Sequence, residues 1–230
     1  MGASPVIVTI DGPAGAGKST VSRLVAKRLG YIYLDTGAMY RAVALAAKTG
    51  GVNTKDHNAV ATLCNQLDIS FDNATDPPAI LLNGRDVSNQ IRVPEIDMLA
   101  SRVSAIKAVR EAMTGLQRKV ALDVGKLVAE GRDMGTVVFP DAQFKFFLTA
   151  SPKERARRRY EELVQRGETI DKNTVAEEMK KRDQQDTTRS IAPLKPAPDA
   201  VIIDTTHLSV DEVVDKICKT VASRISDSLK

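Results

Sequence analysis

The string Gly12-Pro13-Ala14-Gly15-Ala16-Gly17-Lys18-Ser19 constrains this chain more than any other feature. It fits G-x-x-x-x-G-K-[ST]. Its setting fits as well: an apolar, β-branched run at 6–10 comes just before it, and a helical pattern opens near Lys18. Glycines let a backbone wrap closely around phosphate with several N–H groups turned inward, and a helix start adds partial positive charge. Gly12 to Ser19, with Thr20, is therefore the candidate cradle for the phosphates of a nucleoside triphosphate. Lys18 is expected to reach the β- and γ-phosphates, and the Ser19 hydroxyl to ligate Mg²⁺. A ligand-free, glycine-rich strand-to-helix turn is the bland alternative.

The motif leaves the reaction open, so other signatures must narrow it. A GTPase needs an [NT]-K-x-D element; the nearest string, Asn65-Gln66-Leu67-Asp68, lacks the Lys and lies in an expected helix. The L-S-G-G-Q string of transport ATPases is absent. A small phosphotransferase remains. The net charge of +4 favours anionic partners, while aromatics at 4% and the lack of Trp argue against a surface that stacks many bases. We therefore expect phosphate on small molecules as the target, with no nucleic acid and no membrane partner. Cys64 and Cys218 are too few for a disulfide scaffold or a Cys-rich zinc site, and His57 and His207 too few for a His-based one. No apolar run reaches 18 residues, and no basic-then-apolar segment precedes the first strand, so a cytoplasmic protein is expected.

Across the 230 residues, short apolar runs alternate with helical stretches. Strands are expected at 6–10, 31–34, 127–130, 144–149 and 201–204. Helices are expected at 18–29, 38–49, 103–122, 152–166, 173–186 and 210–226. The alternation predicts an α/β fold, a parallel sheet covered by helices on both faces. Residues 69–92 break the pattern. Asn83-Gly84 between two β-like runs signals a hairpin, because both residues tolerate positive φ, and predicts a small antiparallel insert.

Four further clusters could serve an acceptor. Asp35-Thr36-Gly37 opens a helix, with Thr36 or Gly37 near the cap and Arg41 one turn on; a simple capped helix with a surface Arg reads the same way. Arg132 and Asp133 follow the strand ending at Glu130. Ligands in open parallel sheets sit beyond the carboxyl ends of strands, so both should face the phosphate loop, unless they are an ion pair tying down a turn. Ser151-Pro152-Lys153-Glu154 is a capping box. The helix it starts carries Arg155, Arg158 and Arg159 on one face, where they repel unless an anion binds them. A lid closing on phosphates would supply that anion; a solvated basic face is the alternative. Arg182, Asp186 and Arg189 fall at i, i+4 and i+7, one helical stripe that could also be a plain ion pair.

Residues 11–20, Asp35-Thr-Gly-Ala-Met-Tyr-Arg41, the run from Gly131 to Asp141, and Arg182-Asp with Asp186 and Arg189 together resemble bacterial cytidylate kinases. The likeness covers nearly the whole chain, and the run from Gly131 to Asp141 is far more specific than the phosphate loop. It implies a P-loop kinase with a five-stranded parallel sheet, the antiparallel insert and a helical lid. The expected division is a core at 1–36, 102–150 and 190–230, a CMP-binding domain at 37–101 with the insert at about 69–92, and a lid with the following substrate-binding helix at 151–189. The implied reaction moves the ATP γ-phosphoryl to CMP or dCMP, in a monomer. By motif match, Thr36, Arg41, Ser101, Arg110, Asp133, Arg182, Asp186 and Arg189 bind the acceptor, beside Gly37. Ser101, Arg110 and Asp133 read the cytosine, Arg182 and Asp186 hold the sugar, and Arg41 and Arg132 address its phosphate. Thr stands at 36 where the family often has Ser, and the hydroxyl is kept. Thr20 and waters are further possible metal contacts.

The nucleophile, a monophosphate oxygen, has a second pKa near 6 and is mostly ionised at neutral pH, so no general base is required. Catalysis should then rest on positioning and charge, with Lys18, Arg132, Arg155, Arg158 and Arg159 neutralising the transferring phosphoryl. The rivals are a P-loop kinase for another small acceptor such as UMP, a nucleic-acid-stimulated ATPase, and an ATP-sensing interaction protein.

Overall fold

A computed structural model describes residues 5–228. In chain order the elements begin with β1 (Val6–Asp11), α1 (Lys18–Leu29), β2 (Ile32–Asp35), α2 (Thr36–Thr49), α3 (His57–Cys64), β3 (Ile69–Asp72), β4 (Ala79–Leu82) and β5 (Arg85–Asp86). There follow α4 (Pro94–Val103), α5 (Lys107–Val124), β6 (Lys126–Gly131), a π-helical turn (Met134–Val138), β7 (Phe144–Thr149), α6 (Pro152–Gln165), α7 (Lys172–Thr188), β8 (Val201–Asp204) and α8 (Val210–Ser228). The chain forms two compact units, Leu34–Gly125 on the one hand and Pro5–Tyr33 with the stretch from Lys126 onward on the other.

The expected five strands form one sheet in the order β2-β6-β1-β7-β8. β1 runs parallel to both β6 and β7, with Asp11 level with Gly131 and Phe147, and β7 runs parallel to β8. Helices cover the apolar residues of the central strands: Val8, Ile10, Val128, Phe146 and Leu148 pack with Val21 and Val25 of α1 and Val213, Ile217 and Val221 of α8. Those helix residues recur every four positions, the spacing that keeps one stripe facing the sheet. Cutting Ile10 or Ile217 to Ala costs about 2–5 kcal/mol through lost burial and the cavity left behind.

In the Leu34–Gly125 unit the insert is a three-stranded antiparallel sheet, β3-β4-β5. Asn83 and Gly84 both take positive φ, 51° and 76°, as the two-residue hairpin required. Several expectations need correction here. The helix expected at 103–122 starts only at Lys107, as α5; Val103 ends a separate helix, α4, that was not expected, and a turn in which Ala105 and Ile106 donate to the carbonyls of Arg102 and Val103 separates the two. Ile106 is buried and takes extended angles before α5, so packing overrides helical continuity. Asn65-Gln66-Leu67-Asp68 is not helical; it lies in the turn that ends α3, a helix that Asp56 caps by accepting from Asn58 and Ala59.

Candidate active site

The phosphate loop joins β1 to α1. Gly12 and Gly15 sit at φ 147° and 73°, where a Cβ would lie 2.0 Å from the Leu148 carbonyl oxygen and 2.8 Å from that of Arg155. Only glycine fits these two positions. Gly17 leads into α1 in a left-handed conformation and no side chain caps the helix start, so the first-turn N–H groups are offered to an anion. The Lys18 ammonium is buried and donates to the Pro13 carbonyl at 2.7 Å. Burial pushes it down to about 7, and nearby Arg132 and then Arg182 push the same way, against the pull of Glu130 and Asp11. The Ser19 hydroxyl donates to Glu130 at 2.8 Å, and the same carboxylate oxygen accepts from the Tyr33 hydroxyl at 2.9 Å.

Asp11, the last residue of β1, accepts from the backbone N–H groups of Met134 and Gly135 at 2.9 and 2.8 Å. Burial raises its pKa to about 6, opposed by those two bonds and assisted by Asp133. It thereby anchors the π-helical turn that follows Arg132 and Asp133. Arg132 donates through Nε to Asp186 at 2.9 Å, and Arg189 stands 3.7 Å from Asp133 and 4.0 Å from Asp186. Burial pushes the Asp186 carboxyl up, but Arg132, Arg182 and Arg189 outweigh it and hold the group below its ordinary value. Lys18, Arg132, Asp133, Arg182, Asp186 and Arg189 thus gather in one unit. Arg189 arrives differently from the expected helical stripe: α7 ends at Thr188, and Arg189 turns away with ψ 140°, its Nε donating to Ala192.

The residues expected at 36–110 belong to the other unit. The N-cap of α2 is Asp35, not Thr36 or Gly37; it accepts from Ala38 at 2.8 Å and from Arg41 at 3.0 Å. A Cβ at Gly37 would come within 3.2 Å of the Arg41 guanidinium, so the missing side chain makes room for it. Arg110 is buried, lies 5.6 Å over the Tyr40 ring and donates to the Ser104 carbonyl. The Ser104 hydroxyl in turn bonds the Ser101 carbonyl.

The arginines of α6 differ most from expectation. Their mutual repulsion is relieved by the protein's own carboxylates: Arg155 pairs with Asp183, Arg158 with Glu154 and Arg159 with Glu162. Arg157 and then Arg158 hold Glu154 at about 2, against its partial burial. Arg158 also donates to the Thr205 hydroxyl and carbonyl at 3.0 and 2.7 Å. Arg158 and Arg159 line a cavity of about 680 Å³ with the residues from Gly15 to Val21, Glu154 and the loop from Thr205 to Val210. That loop, Glu130 and Asp11 were not picked out from sequence. The rule that ligands gather at the carboxyl ends of parallel strands points to all three.

The arrangement is a glycine-lined loop with an uncapped helix start, a cavity beside it, and a separate cluster of arginines and aspartates. A structure from Eubacterium ventriosum shares the fold, with a TM-score of 0.52 at 15% identity, over 96% of this chain and 99% of that one. A protein of a Geobacter species named cytidylate kinase is 51% identical, covering 98% of this chain and 96% of its own. One from Citrifermentans bemidjiense with the same name is 50% identical over the same shares. The family description "Cytidylate kinase" matches residues 8–223, which takes in the loop, the Arg/Asp cluster and both helices of the arginine-rich segment, and the chain belongs to that family.

Proposed function

We propose that the protein is an ATP-dependent nucleoside monophosphate kinase that transfers the γ-phosphoryl group of ATP to CMP or dCMP, giving CDP or dCDP. The observation that supports this reading is that Lys18 feels Arg132 and Arg182, so the loop we assign to the donor lies within electrostatic reach of the cluster we assign to the acceptor. Burial depresses the Lys18 ammonium and the two guanidinium groups add to the effect; two polyanions meeting at that point would relieve the crowding. Lys18 and Arg132 then stabilise charge as it moves between oxygens, with Arg158 and Arg159 on the cavity lining. We assign Thr36, Gly37, Arg41, Ser101, Arg110, Asp133, Arg182, Asp186 and Arg189 to the acceptor. Segment 37–101 acts as the acceptor domain and 151–189 as the lid.

Among the described residues no group of three or more His, Cys, Asp or Glu side chains is arranged to hold a metal. The donors on hand are oxygens, the Ser19 hydroxyl backed by Glu130. This set suits a hard cation that arrives on phosphates and keeps most of its water, and so fits Mg²⁺. Mg²⁺ supplies charge neutralisation at the phosphates when bound. Ser19 would offer its oxygen while its O–H donates to Glu130, and the loop amides would orient the phosphate chain. None of the described helices is long and apolar enough to cross a membrane. The reading is of a monomeric cytoplasmic enzyme working on small molecules, without nucleic acid or membrane partners.

Release of ADP from MgATP over a panel of acceptors tests the proposal. CMP and dCMP should be the fastest. Faster turnover with a sugar or coenzyme precursor, or hydrolysis stimulated by RNA with no acceptor, would overturn it.

A further inference from the structure

Arg155 belongs to the same arginine stripe as Arg158 and Arg159, yet its surroundings are unlike theirs. It is buried. Its three kinds of nitrogen are all committed within the protein: Nε donates to the Ala150 carbonyl at 3.1 Å, one terminal nitrogen to the Ala14 carbonyl at 3.1 Å, and the other to Asp183 at 2.7 Å. Ala14 is in the tip of the phosphate loop, Ala150 precedes the N-cap of α6, Ser151, and Asp183 is in α7. One planar guanidinium therefore fastens three segments. The packing repeats the connection. Ala14 rests on the small apolar cluster of Leu163, Val175 and Met179 contributed by α6 and α7, and a Cβ at Gly15 would come within 3.0 Å of Arg155 and Met179.

A guanidinium spent on two carbonyls and a carboxylate has little left for a phosphoryl group. A carbonyl fixed on the outside of the loop, in contrast, fixes the peptide plane whose N–H belongs to Gly15. The geometry points to Arg155, held by Asp183, as a positioning residue: the two set the tip of the phosphate loop from α6 and α7, and act on ATP through the loop amides rather than by touching the transferred group. The inference rests on the kinase reading for the identity of the donor nucleotide, but its test reads ATP binding alone.

Arg155→Met and Asp183→Asn should each weaken MgATP binding in calorimetry by about 10-fold, as expected when interactions common to ground and transition state are loosened. Turnover at saturating ATP should stay within about threefold of the parent, and the KM for CMP should not move. Backbone amides of the peptide spanning residues 11–20 should exchange hydrogen faster in both variants. The double variant should be little worse than either alone, because each removes the same tie. Arg155→Lys should not restore binding, since an ammonium cannot hold three acceptors in one plane. The inference is overturned if Arg155→Met lowers turnover about 100-fold with MgATP affinity intact, the mark of direct contact with the reacting group. It is equally overturned if Asp183→Asn leaves affinity and exchange unchanged; that variant keeps the test open should Arg155→Met not fold. Failure of the parent enzyme to phosphorylate CMP would sink the kinase reading while leaving these binding and exchange measurements standing.

Discussion

The phosphate loop and the arginine stripe of α6 both carry hydrogen-bond donors suited to anions, and they hold them in opposite ways. The loop offers backbone N–H groups at a helix start that no side chain caps. The stripe offers guanidinium groups already closed on Glu154, Glu162 and Asp183. A ligand entering the loop displaces water, whereas a ligand entering the stripe must compete with carboxylates. The loop is thus built for constant, preorganised binding, and the stripe for binding that depends on salt and on partner exchange. Arg155 stands between the two, since it is itself buried and one of its other bonds reaches the loop.

The sharpest way to break the comparison is to remove the one charged side chain of the loop. Lys18→Met should lower phosphoryl transfer at least ~100-fold, as loss of a preorganised donor at a developing charge does. The same variant should make the ligand-free protein more stable near pH 7, by on the order of 2 kcal/mol, because a buried charge crowded by other cations is removed. The folded pKa of Lys18, about 7, lies below its unfolded value, so between those values the unfolded chain holds more protons and parent stability rises with pH. The advantage of Met should therefore shrink from pH 7 towards pH 10. Thermal unfolding across that range checks it; a destabilised variant would show that Lys18 is well paired before ATP arrives. Asp11 bends the curve the other way, since its raised pKa makes parent stability fall as pH climbs from about 4 to about 6.

Next in size is the Arg/Asp cluster proposed for the acceptor. Arg182→Ala should raise the KM for CMP about 30-fold, in the range for truncating one partner of a buried charged contact, and leave ATP affinity nearly intact. Equal loss for both nucleotides would place Arg182 with the loop instead, through its influence on Lys18. Steady-state kinetics with each substrate varied in turn separates the two.

What could be read beforehand follows the same division. The loop was legible because its determinants are local: three glycines, a lysine and a hydroxyl in eight residues, between a strand and a helix. The five strands were legible because burial on both faces leaves apolar runs such as Val6–Asp11. The stripe was half legible. Arg158 and Glu154 are one turn apart and their pairing follows from helix geometry, but Asp183 reaches Arg155 from another helix, and no spacing rule connects them. Arg189 was given a helical register that the end of α7 denies it, and the start of α5 at Lys107 rather than 103 was invisible because burial of Ile106, not propensity, decides it. Glu130 sat in plain view at the end of β6, yet its role depends on Ser19 and Tyr33 meeting one oxygen, which only the fold brings about.

The smallest effect tests the stripe itself. Glu154 closes on Arg157 and Arg158, and Arg157 and Arg158 keep it ionised throughout the working pH range. Glu154→Gln removes the competing charge while keeping the shape of the side chain. Arg158 retains its bonds to Thr205, so the cavity wall should stay in place. If the carboxylate competes with phosphate, MgATP affinity should rise by about two- to threefold at low salt, the scale of an exposed ion pair, and the gain should fade as salt is added. Affinity that falls instead would mean that Glu154 holds Arg158 in its binding pose. The stripe would then be as preorganised as the loop, and the contrast between them would reduce to one of backbone against side chain.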